Sequence, residues 1–334
     1  MELLKHVGDI SKIGYGFIAS KALFTALDLD LFTRLARARA SVEGLAAEAE
    51  VAPDRLQLLL TLLRALGLIG VDVEGKHYNS PAASSYLASA SPMYFGDYFR
   101  FQIDRQFYPI LTKLAPAIRG AESTHFYSEY ANPEEAQNFS KAQHVGSLGA
   151  AHLLARRLGT VPWRSLLDVA GGTGAFSIML CKRNPLLSAT ILDFPNVCEI
   201  SLEYLQAAGV ADRVSLLSGD ARLTDWPQQQ DAVLVSYLLS AISELEVQPL
   251  IDRAFAALIP GGALMIHDFM VHDDRSGPLS ASLWILTNAI MDPRNPQLTP
   301  SSMRGVMERS GFADVQHFEL LPGITQVVMG HKPH

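Results

Sequence analysis

Cysteine, positive charge and long apolar runs are all scarce in this chain of 334 residues, and each scarcity removes a class of protein. The two cysteines, Cys181 and Cys198, cannot make a disulfide scaffold and have no metal-ligand spacing. They read as reduced, buried small side chains of a cytoplasmic protein. Lys and Arg number 27 against 34 Asp and Glu, a net charge of −7, so no basic field exists to attract nucleic acid or anionic lipid. No apolar stretch is long and unbroken enough for a membrane span, and the opening Met1-Glu2-Leu3-Leu4-Lys5-His6 lacks a leader pattern. No pair of histidines has the spacing and acidic companion of a metal site, so no metal is expected.

What the chain does carry is an apolar strand that ends in an acid and turns through closely spaced glycines into a helix: Leu166-Leu167-Asp168-Val169-Ala170-Gly171-Gly172-Thr173-Gly174-Ala175-Phe176. Glycines admit positive φ and let backbone N–H groups approach a ligand that a Cβ would hold off. The helix expected over residues 174–183 offers its amino end to a carboxylate or phosphate. A dinucleotide fingerprint needs a third glycine where Ser177 stands, so the match to it is poor. Downstream, residues 188–193, 214–217, 232–236 and 263–267 read as apolar parallel strands. Asp193, about twenty residues past the turn, is placed to accept from a ribose diol, and Asp220, after the third strand, from an adenine amino group. Residues 315–320 and 324–330 around Pro322-Gly323 predict a closing antiparallel hairpin. Ser243 with Glu246 predicts a capped helix after the fourth strand.

The first ninety residues read differently. Ile13, Phe17, Ile18, Ala22, Leu23, Ala26, Leu29 and Leu31 recur mostly at three- and four-residue steps, as an amphipathic helix pair requires. Ser41 opens a short helix that breaks at Ala52-Pro53-Asp54. A second helix runs to about Leu66, and the polar wing Glu74-Gly75-Lys76 follows, which makes a winged helix-turn-helix. A DNA-reading role is opposed by charge, because Glu43, Glu48, Glu50, Asp54, Asp72 and Glu74 outnumber Arg55, Arg64 and Lys76. The recognition helix offers leucines where a phosphate-facing surface needs Lys and Arg. Those leucines are expected to be buried, within the domain or against a second copy in a homodimer.

These residues together resemble the small-molecule O-methyltransferases that use S-adenosylmethionine (SAM), the family of the hydroxyindole and plant phenolic enzymes, with the bacteriochlorophyllide C-20 methyltransferase among similar bacterial members. The likeness runs through the winged-helix half, Phe139-Ser140-Lys141-Ala142-Gln143-His144, the glycine turn with Ala170 in place of its usual first glycine, Asp231-Ala232-Val233-Leu234, Arg253-Ala254-Phe255, and the region from Thr299-Pro300 to His331. It implies an α/β, Rossmann-like methyltransferase sheet with an N-terminal helical winged-helix dimerisation domain. The implied division is residues 1–90 for dimerisation, 91–164 as a helical connector roofing the substrate, and 165–334 for SAM. It implies SAM as cofactor, with Asp168, Gly171, Gly172, Gly174, Asp193, Asp220, Ala221 and Ser236 around it. The implied partners are a small-molecule acceptor and a second copy of the chain, with neither nucleic acid nor membrane.

The departures from the family bear on mechanism. Where the family carries His-Asp-Trp after the fourth strand, this chain reads Tyr237-Leu238-Leu239-Ser240-Ala241-Ile242, which puts Ser240 in the histidine's place. The family's first supporting glutamate falls on Asp268 and its second on Gln297. With no partner beside it in sequence, Ser240 is expected not to take the proton, and Ser240→Ala to be mild. Three chemistries remain: an acceptor already anionic or enol-like, for which alignment supplies much of the acceleration; another base, with His144 and Asp268 as the catalytic pair expected and His267 a further imidazole; or SAM kept without methyl transfer, as in a hydroxylase or cyclisation catalyst. A SAM-sensing DNA-binding regulator is the remaining class. Tyr237, Ser240, His267, Trp284, Asn288 and Met291 are the expected acceptor-site residues, the last three on one helix face. The aromatics from Tyr94 to Phe101 suit a flat acceptor, and Arg100 or Arg105 an acidic substituent.

Overall fold

Leu56, Leu60 and Leu63 lie at steps of four and three along one helix, and all three are buried, whereas Leu58 between them is 74% exposed. That helix belongs to the first of two compact units, Met1–Pro109 and Ile110–His334. The computed structural model describes residues 3–121 and 133–334.

The first unit runs α1 (Val7–Gly14), α2 (Gly16–Asp28), α3 (Leu31–Arg37), α4 (Val42–Glu48), α5 (Pro53–Ala65), β1 (Ile69–Val71), β2 (His77–Asn79) and α6 (Pro81–Tyr86), then a π-helix, Tyr98–Phe107. Ser41 accepts the Gly44 N–H at 3.2 Å and so caps α4. Between β1 and β2, Asp72 Oδ1 accepts from the N–H groups of Glu74 and Lys76, which folds the expected wing. The leucines pack with Phe32, Leu45, Ile69 and Ala83 into one core. By contrast α1 has no buried residue, and Val7, Ile10, Ile13, Phe17 and Ile18 are exposed. The split at residue 109 falls inside the stretch expected as a connector.

A single helical turn, α7 (Tyr108–Ile110), is followed by α8 (Leu114–Ile118), α9 (Pro133–Leu158), β3 (Ser165–Val169), α10 (Ala175–Arg183), β4 (Ser188–Asp193), α11 (Pro195–Ala208), β5 (Val214–Ser218), β6 (Gln230–Ser236), α12 (Glu244–Ala257), β7 (Leu258–Asp268), α13 (Leu279–Met291), α14 (Pro300–Arg309), β8 (Ala313–Leu321) and β9 (Thr325–His331). The sheet order is β5-β4-β3-β6-β7-β9-β8. Strands β3 to β7 are parallel, and β9 and β8 close the sheet antiparallel. Strand alternation sends Leu166 and Leu234 to one face, with Leu154, Phe176 and Leu205 of α9, α10 and α11. Leu167 and Val233 go to the other, with Ile251 and Met307 of α12 and α14. The sheet is thus covered on both faces by helices.

Two details differ from expectation. Strand β7 begins at Leu258, earlier than residue 263, because Gln230 of β6 also pairs with Leu258. Ser243 precedes α12 without a side-chain cap; the Glu244 N–H goes to the Arg294 carbonyl at 3.0 Å instead, so tertiary packing supplies what the capping pattern promised.

Ala170 ends β3 at φ 54°, a left-handed conformation in which its Cβ crowds the backbone. Ala170→Gly is therefore expected to stabilise the protein by about 1 kcal/mol. The measurement is urea unfolding, and an unchanged or lower midpoint would contradict it.

Candidate functional site

Strand order reverses between β3 and β6, so their connections leave on opposite faces and a crevice opens beyond their carboxyl ends. The glycine turn lies there. Gly172 and Gly174 take φ 57° and 79°, and a Cβ on Gly172 would meet nothing within 4 Å, so open space lies over the turn. Gly171 is different: a Cβ there would come within 2.7 Å of the Asp168 carboxyl carbon, so this glycine lets the turn rest on Asp168.

Asp168 is buried. Its Oδ2 accepts from Ser177 Oγ at 2.7 Å, while Oδ1 has no partner among the described residues. Burial, with a smaller contribution from the charge of Asp193, pushes its carboxyl up to about 7. Asp193, at the end of β4, accepts the Gly172 N–H at Oδ2 and the Phe194 N–H at Oδ1, each at 2.8 Å. One backbone donor on each oxygen leaves a lone pair on each for a vicinal diol. Burial raises this carboxyl too, against the pull of those two N–H groups.

Asp220 follows β5 and does not stand alone. Arg222 grips it, Nη2 to Oδ2 at 2.7 Å and Nε to Oδ1 at 3.0 Å, adds its own N–H to Oδ1, and reaches Glu246 at 2.9 Å. The guanidinium holds the Asp220 carboxyl below the usual range. Sequence reasoning missed Arg222, although its position two residues beyond a loop aspartate was the available signal. The Ala221 carbonyl accepts from Trp226 Nε1 at 2.8 Å.

At the ends of β6 and β7 the expected acceptor residues part company. Ser236 Oγ and Thr325 Oγ1 bond the two nitrogens of His267, each at 2.9 Å, and the ring is fully buried, with burial pushing it down to about 3. Both nitrogens are occupied within the sheet, so the structure does not place His267 toward an acceptor. Asp268 points to the opposite face and meets Ser240: the serine hydroxyl donates to Oδ1 at 2.7 Å and the Ser240 N–H to Oδ2 at 3.1 Å. Ser240 has no partner beside it in sequence, and the one it finds comes from a strand 28 residues away. Asn288 of α13 donates to the Ser240 carbonyl at 3.3 Å, and its buried Oδ1 has no partner among the described residues. Trp284 stacks on Phe269 with ring centroids 4.9 Å apart, and Phe269 lies 5.2 Å from Tyr237, itself left-handed at φ 55°. Met291 is buried. A cleft of about 340 Å³ runs along α13, lined by Asn288, Gln297, Val271, Ile285 and Ile118 among others. Asn288 is the expected acceptor residue that borders it.

His144, on α9, sits elsewhere. Its Nδ1 lies 2.7 Å from Thr173 Oγ1 of the glycine turn and its ring 4.1 Å from that of Tyr204. Burial lowers it to about 4, so the ring is neutral at pH 7. The structure joins His144 to the turn and not to the Ser240 and Asp268 pair. In the first unit Arg100 is held by Asp28 at 3.1 Å and Asp97 at 3.3 Å, and Arg105 lies over the Phe101 ring, which gives both cations local partners in place of a substrate acid.

A doubly covered sheet with a glycine turn and carboxylates at successive strand ends defines a nucleoside-binding α/β domain. Residues 116–313 match the O-methyltransferase domain and residues 12–89 the O-methyltransferase dimerisation domain, and the chain belongs to the O-methyltransferase family. It is 31% identical over 331 residues to tetracenomycin polyketide synthesis 8-O-methyl transferase TcmO of Streptomyces glaucescens, covering 98% of this chain and 97% of that protein. Bacteriochlorophyllide d C-20 methyltransferase of Chlorobaculum tepidum is 29% identical over 272 residues, 79% of this chain and 78% of its own. The solved structure of human N-acetylserotonin methyltransferase in complex with SAM shares the fold, with a TM-score of 0.87 over all of both chains at 22% identity.

Because the folded Asp168 binds its proton more tightly than the unfolded chain does, its contribution to stability is present below about pH 4 and lost as pH rises through about 7. Asp168→Asn cannot ionise, so stability measured relative to wild type should shift in the variant's favour between pH 5 and 8, about those values. Parallel curves for the two proteins across that range would refute the assignment.

Proposed function

We propose that this chain is an O-methyltransferase that moves the methyl group of SAM to a planar, ring-bearing small molecule of secondary metabolism, and that it works as a homodimer. The observation that carries the reading is the Asp193 carboxylate locked to the glycine turn at the switch point of the sheet, within a chain of the O-methyltransferase family. S-adenosylmethionine is the cofactor. The residues present fit it: a diol acceptor at Asp193, an amino-group acceptor at Asp220, and unfilled space over Gly172.

When bound, SAM supplies an electrophilic methyl on a sulfonium, which passes in line to the nucleophile. The protein's own residues bind and orient. Asp193 would take the ribose hydroxyls, Asp220 the adenine amino group, and the first backbone N–H groups of α10, just past the glycine turn, the carboxylate. Asp168 supports the turn from beneath, and Thr173 is steadied by His144. Ser236, at the end of β6, and Ala221, in the loop beyond β5, would flank the same crevice. On the acceptor side, the stacked Trp284 and Phe269 offer flat apolar faces, with Tyr237 behind them and Asn288 a hydrogen-bonding group.

The exposed apolar residues of α1 and α2 favour the homodimer, since Val7, Ile10, Ile13 and Phe17 would otherwise remain in water. The same acidity that opposes DNA binding in residues 41–80 leaves the winged helix to that interface.

Methyl-labelled SAM supplied with hydroxylated polycyclic aromatics should deliver label to an ether product; SAM bound and recovered intact would favour a non-methylating enzyme. Asp193→Ala removes two charge-assisted hydrogen bonds and should weaken S-adenosylhomocysteine (SAH) binding by about tenfold or more in calorimetry. Unchanged affinity would remove Asp193 from the ribose. Light scattering at micromolar concentration should give the mass of two chains, against which a monomer would count.

A further inference from the structure

The buried pair Ser240 and Asp268 has a direction built into it. The serine has one hydroxyl hydrogen and spends it on Asp268 Oδ1 at 2.7 Å. The carboxylate is held in turn by the N–H groups of Ser240 and Phe269, at 3.1 and 2.8 Å, so neither oxygen is free to swing away. The serine oxygen keeps its lone pairs, and a hydroxyl in that state accepts a proton only as it gives up its own. The resemblance sets Ser240 in the histidine's place, and Asn288, which borders the cleft, donates to the Ser240 carbonyl.

We infer that Ser240 and Asp268 form the proton exit of the methyl transfer: the acceptor hydroxyl gives its proton to Ser240 Oγ as the serine proton passes to Asp268 Oδ1. The inference rests on the methyl-transfer reading above and adds the step that reading leaves open. In balance, the acceptor O–H bond breaks and an O–CH₃ bond forms, while the sulfonium S–CH₃ bond breaks with its electron pair left on sulfur. The displaced proton ends on Asp268 and leaves to water after product departs.

The surroundings of Asp268 suit that task. Burial raises its carboxyl to about 6, against the opposing hydrogen bonds from Ser240, Phe269 and Leu239. A group there is ionised at neutral pH yet more basic than an exposed carboxylate. Among the described residues the groups recorded against it are uncharged: the Ser240 hydroxyl and, across the strand pair, Gln326 of β9 with its amide on the Met270 carbonyl, while Asn288 from α13 bonds the Ser240 carbonyl. His267, its neighbour on β7, is turned to the other face and bonded to Ser236 and Thr325.

The test uses full-length protein, labelled SAM and a series of naphthols made more acidic by nitro substitution. Ser240→Ala and Asp268→Asn are each expected to lower kcat on 1-naphthol by about a hundredfold or more, with SAH affinity within about twofold of wild type. On a nitro-naphthol already ionised at neutral pH the same substitutions should cost less than about fivefold, because no proton has to be removed. A merely structural role would give equal losses on both acceptors and so overturns the relay, as does a variant that keeps a third or more of wild-type kcat on 1-naphthol. Wild-type kcat on 1-naphthol should rise with pH through about 6 and level off above it, as expected for a base that must be ionised. A flat profile overturns the relay even if a variant folds badly and loses SAH. SAH binding with no label delivered to any naphthol overturns the relay together with the methyl-transfer reading, whereas transfer that survives both substitutions sinks the relay alone.

Discussion

The site depends on one constraint of topology. Parallel strands joined by right-handed crossovers must place their helices on opposite faces once the strand order reverses, and here it reverses between β3 and β6. The connections diverge, and the ends of β3, β4, β6 and β7 are left facing the space between. The glycine turn, Asp193, Ser240 and Asp268 all stand at those ends. None of them needs a long loop to reach the crevice, which is why hydrogen bonds between residues 21 and 28 positions apart can be as short as 2.8 and 2.7 Å.

Burial then sets the electrostatics. Asp168, Asp268, His144 and His267 are titratable side chains enclosed by apolar packing, and each is pushed toward its neutral form. The sheet accommodates them by giving most of their polar atoms short-range partners from hydroxyls and backbone N–H groups. Asp220 is the exception among the site carboxylates, since it is more open and an arginine two residues on settles its charge. The crevice therefore holds an ionic group at its rim and more easily protonated acids in its floor.

The first unit obeys a simpler rule. Its leucines at helical spacing fill one core, and α1 and the start of α2 carry a run of exposed apolar side chains, Val7, Ile10, Ile13, Phe17 and Ile18.

Much of this was readable beforehand because it is local. The glycine turn, the strand-end acids, the wing and the closing hairpin each occupy a few consecutive residues, and the periodicities of 2 and 3.6 mark which faces are apolar. The partner of Ser240, the grip of Arg222 on Asp220, the enclosure of His267 and the seating of His144 against Thr173 were not readable. Apart from the Arg222 grip, each depends on side chains from different elements meeting at a few ångströms, and sequence spacing carries no record of such distances. Sequence by itself determined the sheet, the turn and the acids that end its strands. Only tertiary structure decided which polar atoms are used up inside the fold and which remain to act on a ligand, because that depends on the three-dimensional pairing of donors with acceptors once water has been removed.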